Sequence, residues 1–511
     1  MGRRSAVSLG RRWHQRLDSV SGGLLLFLVV FAPWGVAGTL IWTSRVITGV
    51  GLVLGILLVA KWGVERFTGH SPGRWGSPGR WRHGSVMALG ILGGLLLLQV
   101  AISVWNARAI ATWTHAGLEF DYRDIIPWLP TTYDRDSTAW AGIRYLGFAS
   151  AFWAAWDWLR GKSRHERHRE EDGRAAKDVG RVPDRLRWFL WTVAIHSAVM
   201  ALVGILHRLD GSRDLLWMVE RAQFKSNMLF GPFPYRANAA QYLNLVWPVT
   251  VGFWWALRNE HHRMGGLKVR TGGSPHPMLL LCVALMITGV FVAGSRGGIG
   301  VTLIELVLVL VVMAGSSKGW KPRLGLALAF VAALGLGWGL AGDNLKKRFE
   351  NSLTDETLSG RTATYQTARV MAADFPVWGS GAETYTTLNG LYRPNLKARW
   401  DGYVHDDWLE TRITMGWVGL GLIVLMLFLI PLAGIRTGSV PVMHEMRWLL
   451  ALGLCGMLGH ARIDFPFQIP ALHLSFLLGS ALFMVMGAPL PGKPGPDPVP
   501  PDPAPPIPSA R

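Results

Sequence analysis

The feature that most limits this chain is a series of apolar runs too long for a soluble domain. Runs at 90–100, 303–312 and 420–430 lie within stretches near the roughly 20 residues that carry a helix across a bilayer. Only 17% of the 511 residues are charged and 50% are hydrophobic, against about 25% charged in an ordinary soluble chain. A soluble enzyme, a disordered chain and a disulfide scaffold are excluded. Cys282 and Cys455 stand singly in different apolar stretches and read as small core residues. The pattern predicts an all-α, polytopic transmembrane helical bundle.

Apolar spans of helix-crossing length fall at 22–42, 45–62, 85–105, 138–159, 187–207, 239–257, 277–294, 299–315, 323–341, 414–435, 446–461 and 471–489, giving about twelve helices. The expected organisation is a basic cytoplasmic N-terminus (1–21), nine helices (22–341), a large, partly helical periplasmic loop (342–413), three helices (414–489) and a Pro-rich cytoplasmic tail (490–511). The formal charge of +19 would suggest nucleic acid in a soluble chain. Here the cations follow the membrane, so the partner is the lipid bilayer and not nucleic acid. Arg3, Arg4, Arg11, Arg12 and Arg16 precede the first span, which lacks a defensible cleavage site and reads as a retained helix. With that end inside, the segment 160–187, with ten lysines and arginines, also lies inside.

Three outer segments remain, at 106–137, 208–238 and 342–413. The last holds nine basic residues, including Lys346, Lys347, Arg348, Arg361 and Arg412, against the trend that topology demands. Cations that topology does not require invite an anionic ligand. Thr362–374 has helical spacing with Ala363, Ala368 and Met371 as apolar contacts, and 374–376, Asp-Phe-Pro, ends it. A direct repeat, SPGRW at 71–75 and 77–81, is too short for a repeat fold.

Some patterns have plainer explanations than chemistry. Gly337-x-Gly339-x-x-Gly342 matches a dinucleotide string but lies in an apolar span, where close helix packing explains it, as it does Gly51-x-x-x-Gly55. His165 and His168 in the basic segment read as solvated. Glu119 and Asp121 are two loop carboxylates, a weak signal for a divalent ion. Arg144, Asp157, His196, Glu305, His460 and His473 fall within spans, where ionisable groups mark function or structural pairing. They are too scattered for a relay.

Three positions stand apart. Arg296, in Gly294-Ser295-Arg296-Gly297-Gly298, sits between two spans almost without a loop, so it either snorkels to lipid phosphate or binds a substrate phosphate beside permissive glycines. Arg361 follows Ser359-Gly360 at the expected start of the loop helix, where free N–H groups, the dipole and a guanidinium favour an anion, the alternative being an exposed arginine on an exposed helix. His405, in Val404-His405-Asp406-Asp407-Trp408-Leu409-Glu410, can act as a base oriented by a carboxylate. A surface histidine and a metal site built from His405, Asp406, Asp407 or Glu410 remain alternatives.

In order and spacing these segments resemble the O-antigen ligase and polymerase superfamily of bacterial membrane glycosyltransferases, over about 230–485. Gly294–298 is similar to its Ser-Arg-Gly turn. Ser359-Gly360-Arg361 with 374–381 (DFPVWGSG) is similar to its "GR … D-x-P-x-x-G-x-G" stretch. The run 405–410 resembles its His-Asn-Asp-Tyr-Leu-Gln signature, followed by Met415-Gly416-Trp417-Val418-Gly419, and Asp464-Phe465-Pro466 resembles a segment of its last helices. Asp406 stands where Asn is usual and Glu410 where Gln is usual.

The resemblance implies a glycosyltransferase of the bacterial inner membrane, with both termini cytoplasmic and a periplasmic active site. A glycan would pass from a polyprenyl (undecaprenyl) diphosphate carrier to an acceptor hydroxyl of a glycan, lipid A core or protein, in surface polysaccharide biosynthesis. No metal and no cofactor is implied. In this reading Arg296 and Arg361 bind the diphosphate, with Lys347 and Arg348 (and Lys346) in second rank; His405 is the base and Asp407 its orienting carboxylate. A transporter of lipid-linked oligosaccharide or polysaccharide, or a non-catalytic envelope scaffold, would share the helix count and the basic outer loop.

Overall fold

A computed structural model describes residues 3–75, 80–115, 117–172, 181–212, 214–218, 228–264, 276–316, 320–353, 356–392, 402–434 and 441–487. The fold is all-α and polytopic. Each of the twelve apolar stretches coincides with a helix: α1 (Arg3–Trp34), α2 (Ile41–Thr68), α3 (Arg80–Trp105), α4 (Arg135–Arg160), α6 (Asp184–Asp210), α7 (Arg236–Met264), α8 (Met278–Ala293), α9 (Arg296–Ser316), α10 (Trp320–Leu353), α13 (Asp407–Gly434), α14 (Pro441–His460) and α15 (Pro470–Met486). Outside these lie the short α5 (Arg164–Glu171), α11 (Glu356–Asp374) and α12 (Tyr385–Leu388). Among the described residues, seven helices are long and apolar enough to cross a membrane by themselves. The others are shorter, as α8 and α15 are, or carry more polar residues, as α7 does.

Two expectations shift. The first span, placed at 22–42, ends at Trp34, where Gly35 follows and the chain then turns through Val36 and Ala37 at positive φ. The segment at 106–137, expected as an outer loop, contains an antiparallel hairpin, β1 (Ala109–Thr114) with β2 (Gly117–Tyr122). Its alternation is too short to have stood out beside the apolar runs.

Small residues set the helix spacing. A Cβ on Gly51 would lie 2.4 Å from the Gly147 carbonyl oxygen, and one on Gly55 would lie 2.6 Å from Ser150 Oγ, so this pair brings α2 onto α4. Gly337 likewise faces Phe291 Cβ at 2.7 Å and seats α10 against α8. The expected packing role is thus visible for Gly51 and Gly55, and for Gly337 but not for Gly339 or Gly342, which meet no neighbouring helix within 4 Å. Buried α7 runs through the middle of the bundle and packs on α14, α8, α9 and α6. A second, smaller core lies outside the bundle: Ala368, Met371, Tyr385, Leu388, Val404 and Ile413 join α11, α12 and the start of α13. Ala363, expected in that contact, is exposed, and Ala372 is buried instead.

The link between this cap and the bundle is a break in α13. At Gly416 the chain adopts φ 66° and ψ −170°, a region closed to residues with a Cβ. The freed backbone groups pair with the segment 376–381: Trp417 N–H donates to the Pro376 carbonyl (3.1 Å), Val418 N–H to Val377 (3.2 Å), and Ser380 and Gly381 N–H to Ile413 (2.9 Å) and Thr414 (3.0 Å). Gln99 Nε2 closes the join by donating to the carbonyls of Trp378 (3.1 Å) and Met415 (2.9 Å). A Cβ on Gly416 would stand 2.1 Å from the Val377 oxygen. Gly416→Ala therefore lowers stability by about 3 kcal/mol or more. Gly421→Ala, whose Cβ meets nothing within 4 Å, raises it by up to about 1 kcal/mol. Thermal unfolding of the two variants in detergent checks both signs.

Candidate active site

The site is assembled on the short turn between α14 and α15, residues 461–465. Four segments reach it: the first turns of α9 and α13, the Arg361–Tyr365 stretch of α11, and the 402–406 segment before α13. His405 lies in that last segment with φ 59°, a left-handed conformation that histidine tolerates better than most residues. Its neighbours fix it there. Tyr365 on α11 donates its hydroxyl to the His405 carbonyl (3.0 Å), Val404 N–H donates to the Glu410 carboxylate (2.9 Å), and Asp407 N–H donates to the Ala461 carbonyl (2.8 Å). The imidazole then packs edge-on against Phe465, with ring centres 4.8 Å apart, and Phe465 itself is sandwiched between Tyr235 and Tyr403.

His405 Nδ1 lies 3.1 Å from Asp464 Oδ1. A carboxylate accepting from Nδ1–H leaves the lone pair on Nε2, the form needed to take a proton. The histidine side chain keeps 19% of its exposure while Asp464 keeps 5%. The carboxylate in contact with His405 is therefore Asp464, whereas Asp407, to which the local sequence assigned the orienting role, meets other partners. Asp407 points the other way, accepting from Phe467 N–H (2.8 Å) and Gln468 Nε2 (3.1 Å). Two residues on, at the first turn of α13, the chain has rotated its side chain toward the bundle.

Guanidinium groups surround the same turn. Arg361 Nη1 donates to the Ile463 carbonyl (3.2 Å), and Arg462 pairs with Asp406. Arg296 is the exposed first residue of α9, whose start is capped by Ser295 Oγ accepting from Gly298 N–H (3.2 Å). That turn of α9 touches the site, since a Cβ on Gly297 would meet His460 Nε2 at 2.7 Å and Ile463 Cδ1 at 2.9 Å. Arg361 differs from expectation in one respect. The helix α11 begins at Glu356, so Arg361 is inside it, and the free N–H groups of a helix start are not beside its guanidinium. The side chains of Lys347 and Arg348 lie outside the described residues, and Lys346 is exposed on α10. Arg412 donates to the Phe375 carbonyl and stacks on Trp417, holding the cap.

Burial, the largest influence, raises the Tyr365 hydroxyl above its ordinary value; Arg361 and Arg462 oppose it while Asp406 and Asp464 add to it. Burial also pushes Tyr403 up to about 12. The sequence reading passed over Arg462, although an arginine in a very short turn between two apolar spans is the same signal that singled out Arg296.

On the opposite side of the first turns of α13 lies an apolar cavity of about 240 Å³ between α3, α4, α13 and α15. Glu383, Asp407 and Glu410 stand at its polar end, and all three are engaged: Glu383 pairs with Arg144, and the others take the backbone donors named above. Of the remaining ionisable groups in spans, Asp157 pairs with Lys61 and Arg74, and His196 meets the Tyr242 hydroxyl at 2.9 Å. These are structural pairings.

Residues 281–424 match the family model described as O-Antigen ligase. That segment, about a quarter of the chain, is similar to the O-antigen ligase family. No curated protein matches the chain. The O-antigen ligase segment holds Arg296, Arg361, the 376–381 join and His405, and it stops before the turn carrying Arg462 and Asp464. It supports a membrane enzyme of ligase or polymerase type.

Asp406 gives this site a measurable signature. Its Oδ1 accepts from Leu409 N–H (3.2 Å) and so caps α13. Burial pushes its carboxyl above the ordinary value, outweighing that N–H and Arg462. A carboxyl raised in the folded state favours folding below its unfolded value and loses that contribution as pH rises through its folded value. Asp406→Asn keeps the cap and abolishes this pH-dependence, whereas Asp406→Ala loses about 1 kcal/mol of helix capping. Unfolding temperatures of the three proteins across the carboxylate range distinguish these outcomes.

Proposed function

We propose that this protein transfers a glycan from a polyprenyl diphosphate carrier to an acceptor hydroxyl at the periplasmic face of the bacterial inner membrane. The observation that carries the reading is an imidazole fixed by a carboxylate on the same turn that bears one arginine and binds another. The acceptor O–H attacks the anomeric carbon, and its proton passes to His405 Nε2. The bond from that carbon to the diphosphate oxygen breaks, and the diphosphate leaves on its lipid. The charge that grows on its oxygens is met by Arg296, Arg361 and Arg462, cations whose forked donors match phosphate oxygens and which need no metal to do so. Asp464 holds the ring and offsets the imidazolium as it forms.

Sidedness supports the same reading. The first turn of α4 lies beside the cap, where Asp134 accepts from Thr387 and Thr138 donates to the Ala382 carbonyl. Its last turn enters the basic segment 160–187. A helix of 26 residues spans about 39 Å at 1.5 Å per residue, so the cation-rich end and the site lie on opposite sides of a bilayer. The positive-inside rule then assigns the site to the outer face.

Purified protein given lipid-linked glycan and an acceptor tests the proposal. His405→Ala lowers transfer by about 10²–10⁴-fold with the fold intact. Asp464→Asn lowers kcat by about 10-fold or more while KM changes little, because it disturbs the base and not the binding. Arg361→Ala loses about 10²-fold. Full transfer by His405→Ala would remove the histidine from the mechanism, and loss of transfer with a chelator would favour a metal held by His405 and its acidic neighbours.

A further inference from the structure

At the far end of the bundle from His405, charge is heavily used but not balanced. Lys61, 1% exposed, bonds Asp18 (3.0 Å) and pairs with Asp157; Arg74 also takes Asp157, and Arg185 takes Asp18. These contacts tie α1, α2, α4 and α6 together and occupy the acids. The short helix α5 is anchored beside them by a capping box, with Ser163 and Glu166 exchanging hydrogen bonds and Asp184 joining both. What remains is cationic. Arg12 and Arg164 are exposed and have no carboxylate partner among the described residues, and Arg11 reaches only the exposed Glu171, at 3.4 Å. Arg167 feels the excess: burial foremost, then Arg185, with Arg11 and Arg164 adding, pushes its guanidinium down, opposed only by Asp18.

These cations line a cavity of about 410 Å³ between α1 and α5. A second cavity of about 370 Å³ adjoins it, sharing Gln15, Arg164 and Arg167, and continues along α1 past Gly22, Gly23 and Leu26 between Trp158 and Trp188. From Arg11 to Leu26 the slot follows α1 for about 22 Å at 1.5 Å per residue. Its polar end is basic and its other end apolar. Gly22 admits the Trp158 indole, which a Cβ would meet at 2.5 Å, while a Cβ on Gly23 would meet nothing within 4 Å and projects into the slot.

We propose that this slot is a binding site for an anionic phospholipid, its phosphate held between the arginines of α1 and α5 and its acyl chain laid along Gly22–Leu26. A basic pocket between membrane helices suits an acidic headgroup, and an exposed tryptophan (Trp188, 69%) suits the water–lipid boundary. The apolar half commits the site to a lipid, because a soluble phosphate has no use for it. The inference is independent of the glycan-transfer reading, since none of these residues belongs to that site.

Full-length protein is delipidated, exposed to vesicles of phosphatidylcholine alone or mixed with phosphatidylglycerol, and bound lipid is counted by native mass spectrometry. Phosphatidylglycerol is retained in preference to phosphatidylcholine. The double variant Arg12→Gln/Arg164→Gln reduces that preference about 30-fold, about 1 kcal/mol per cation, and Arg12→Lys/Arg164→Lys keeps most of it. Gly23→Phe blocks the apolar half with every charge in place and also reduces retention. Equal retention of the two lipids by the native chain would mean ordinary surrounding lipid only and overturn the proposal. Retention unchanged in both the double glutamine variant and Gly23→Phe would overturn it as well. Displacement of the lipid by glycerol phosphate, with Gly23→Phe without effect, would mark a soluble-phosphate site instead.

Discussion

The structure depends on how an interrupted helix satisfies its backbone. A bilayer supplies no water to unpaired N–H and C=O groups, so a helix can break there only where protein provides partners. At Gly416 those partners are the backbone of 376–381 and the amide of Gln99. The consequence reaches beyond the break. By exchanging hydrogen bonds with α13, the 376–381 segment is drawn against the membrane, carrying α11 and its small core with it. That places Tyr365 over His405 and Arg361 against Ile463. The two glycine-rich motifs, about forty residues apart in sequence, are one joint.

The same first turns of α13 separate two chemical environments. Toward the 461–465 turn they present His405, beside the guanidinium groups of Arg361 and Arg462. Toward the bundle they present Asp407 and Glu410, at the mouth of an apolar cavity. Carboxylates on the inner side are costly to bury, and each is held by backbone donors or an arginine. Their work is to lock the 402–407 segment so that the histidine cannot follow them inward. In the proposed reaction, a ring held on both sides, by Phe465 and by Asp464, starts each turnover with its lone pair already directed.

The helices were legible because bilayer thickness imposes a length that no other fold requires, and the apolar stretches gave their positions even for α7 and α14. Arg296 and His405 were legible because charge at a membrane boundary is conspicuous. Asp464 as the partner of His405 was not, since it lies 59 positions along the chain, beyond the whole of α13 and α14; the Asp-Phe-Pro run marked the place without revealing the contact. Asp407 was the nearer candidate in sequence, but adjacency along a helix start puts side chains two apart on different faces. The start of α11 was placed too late because its Gly360 reads as a boundary, whereas the helix runs through it from Glu356.

A chain with so few charges concentrates them at its two ends, and the ends do different things with them. At the N-terminal end, acids and bases cancel across helices, and the surplus is cationic and faces the membrane surface. At the other end, Arg361 and Arg462 gather at a turn beside His405, Asp406 and Asp464, while Asp407 and Glu410 are withdrawn beneath it. The separation follows from solvent. A charge in the bilayer interior needs a partner within reach, whereas a charge at the boundary is stabilised by water or by phosphate. An enzyme whose substrates are themselves anchored at that boundary can therefore place its positive groups where the membrane already tolerates them, and the interior has only to hold them still.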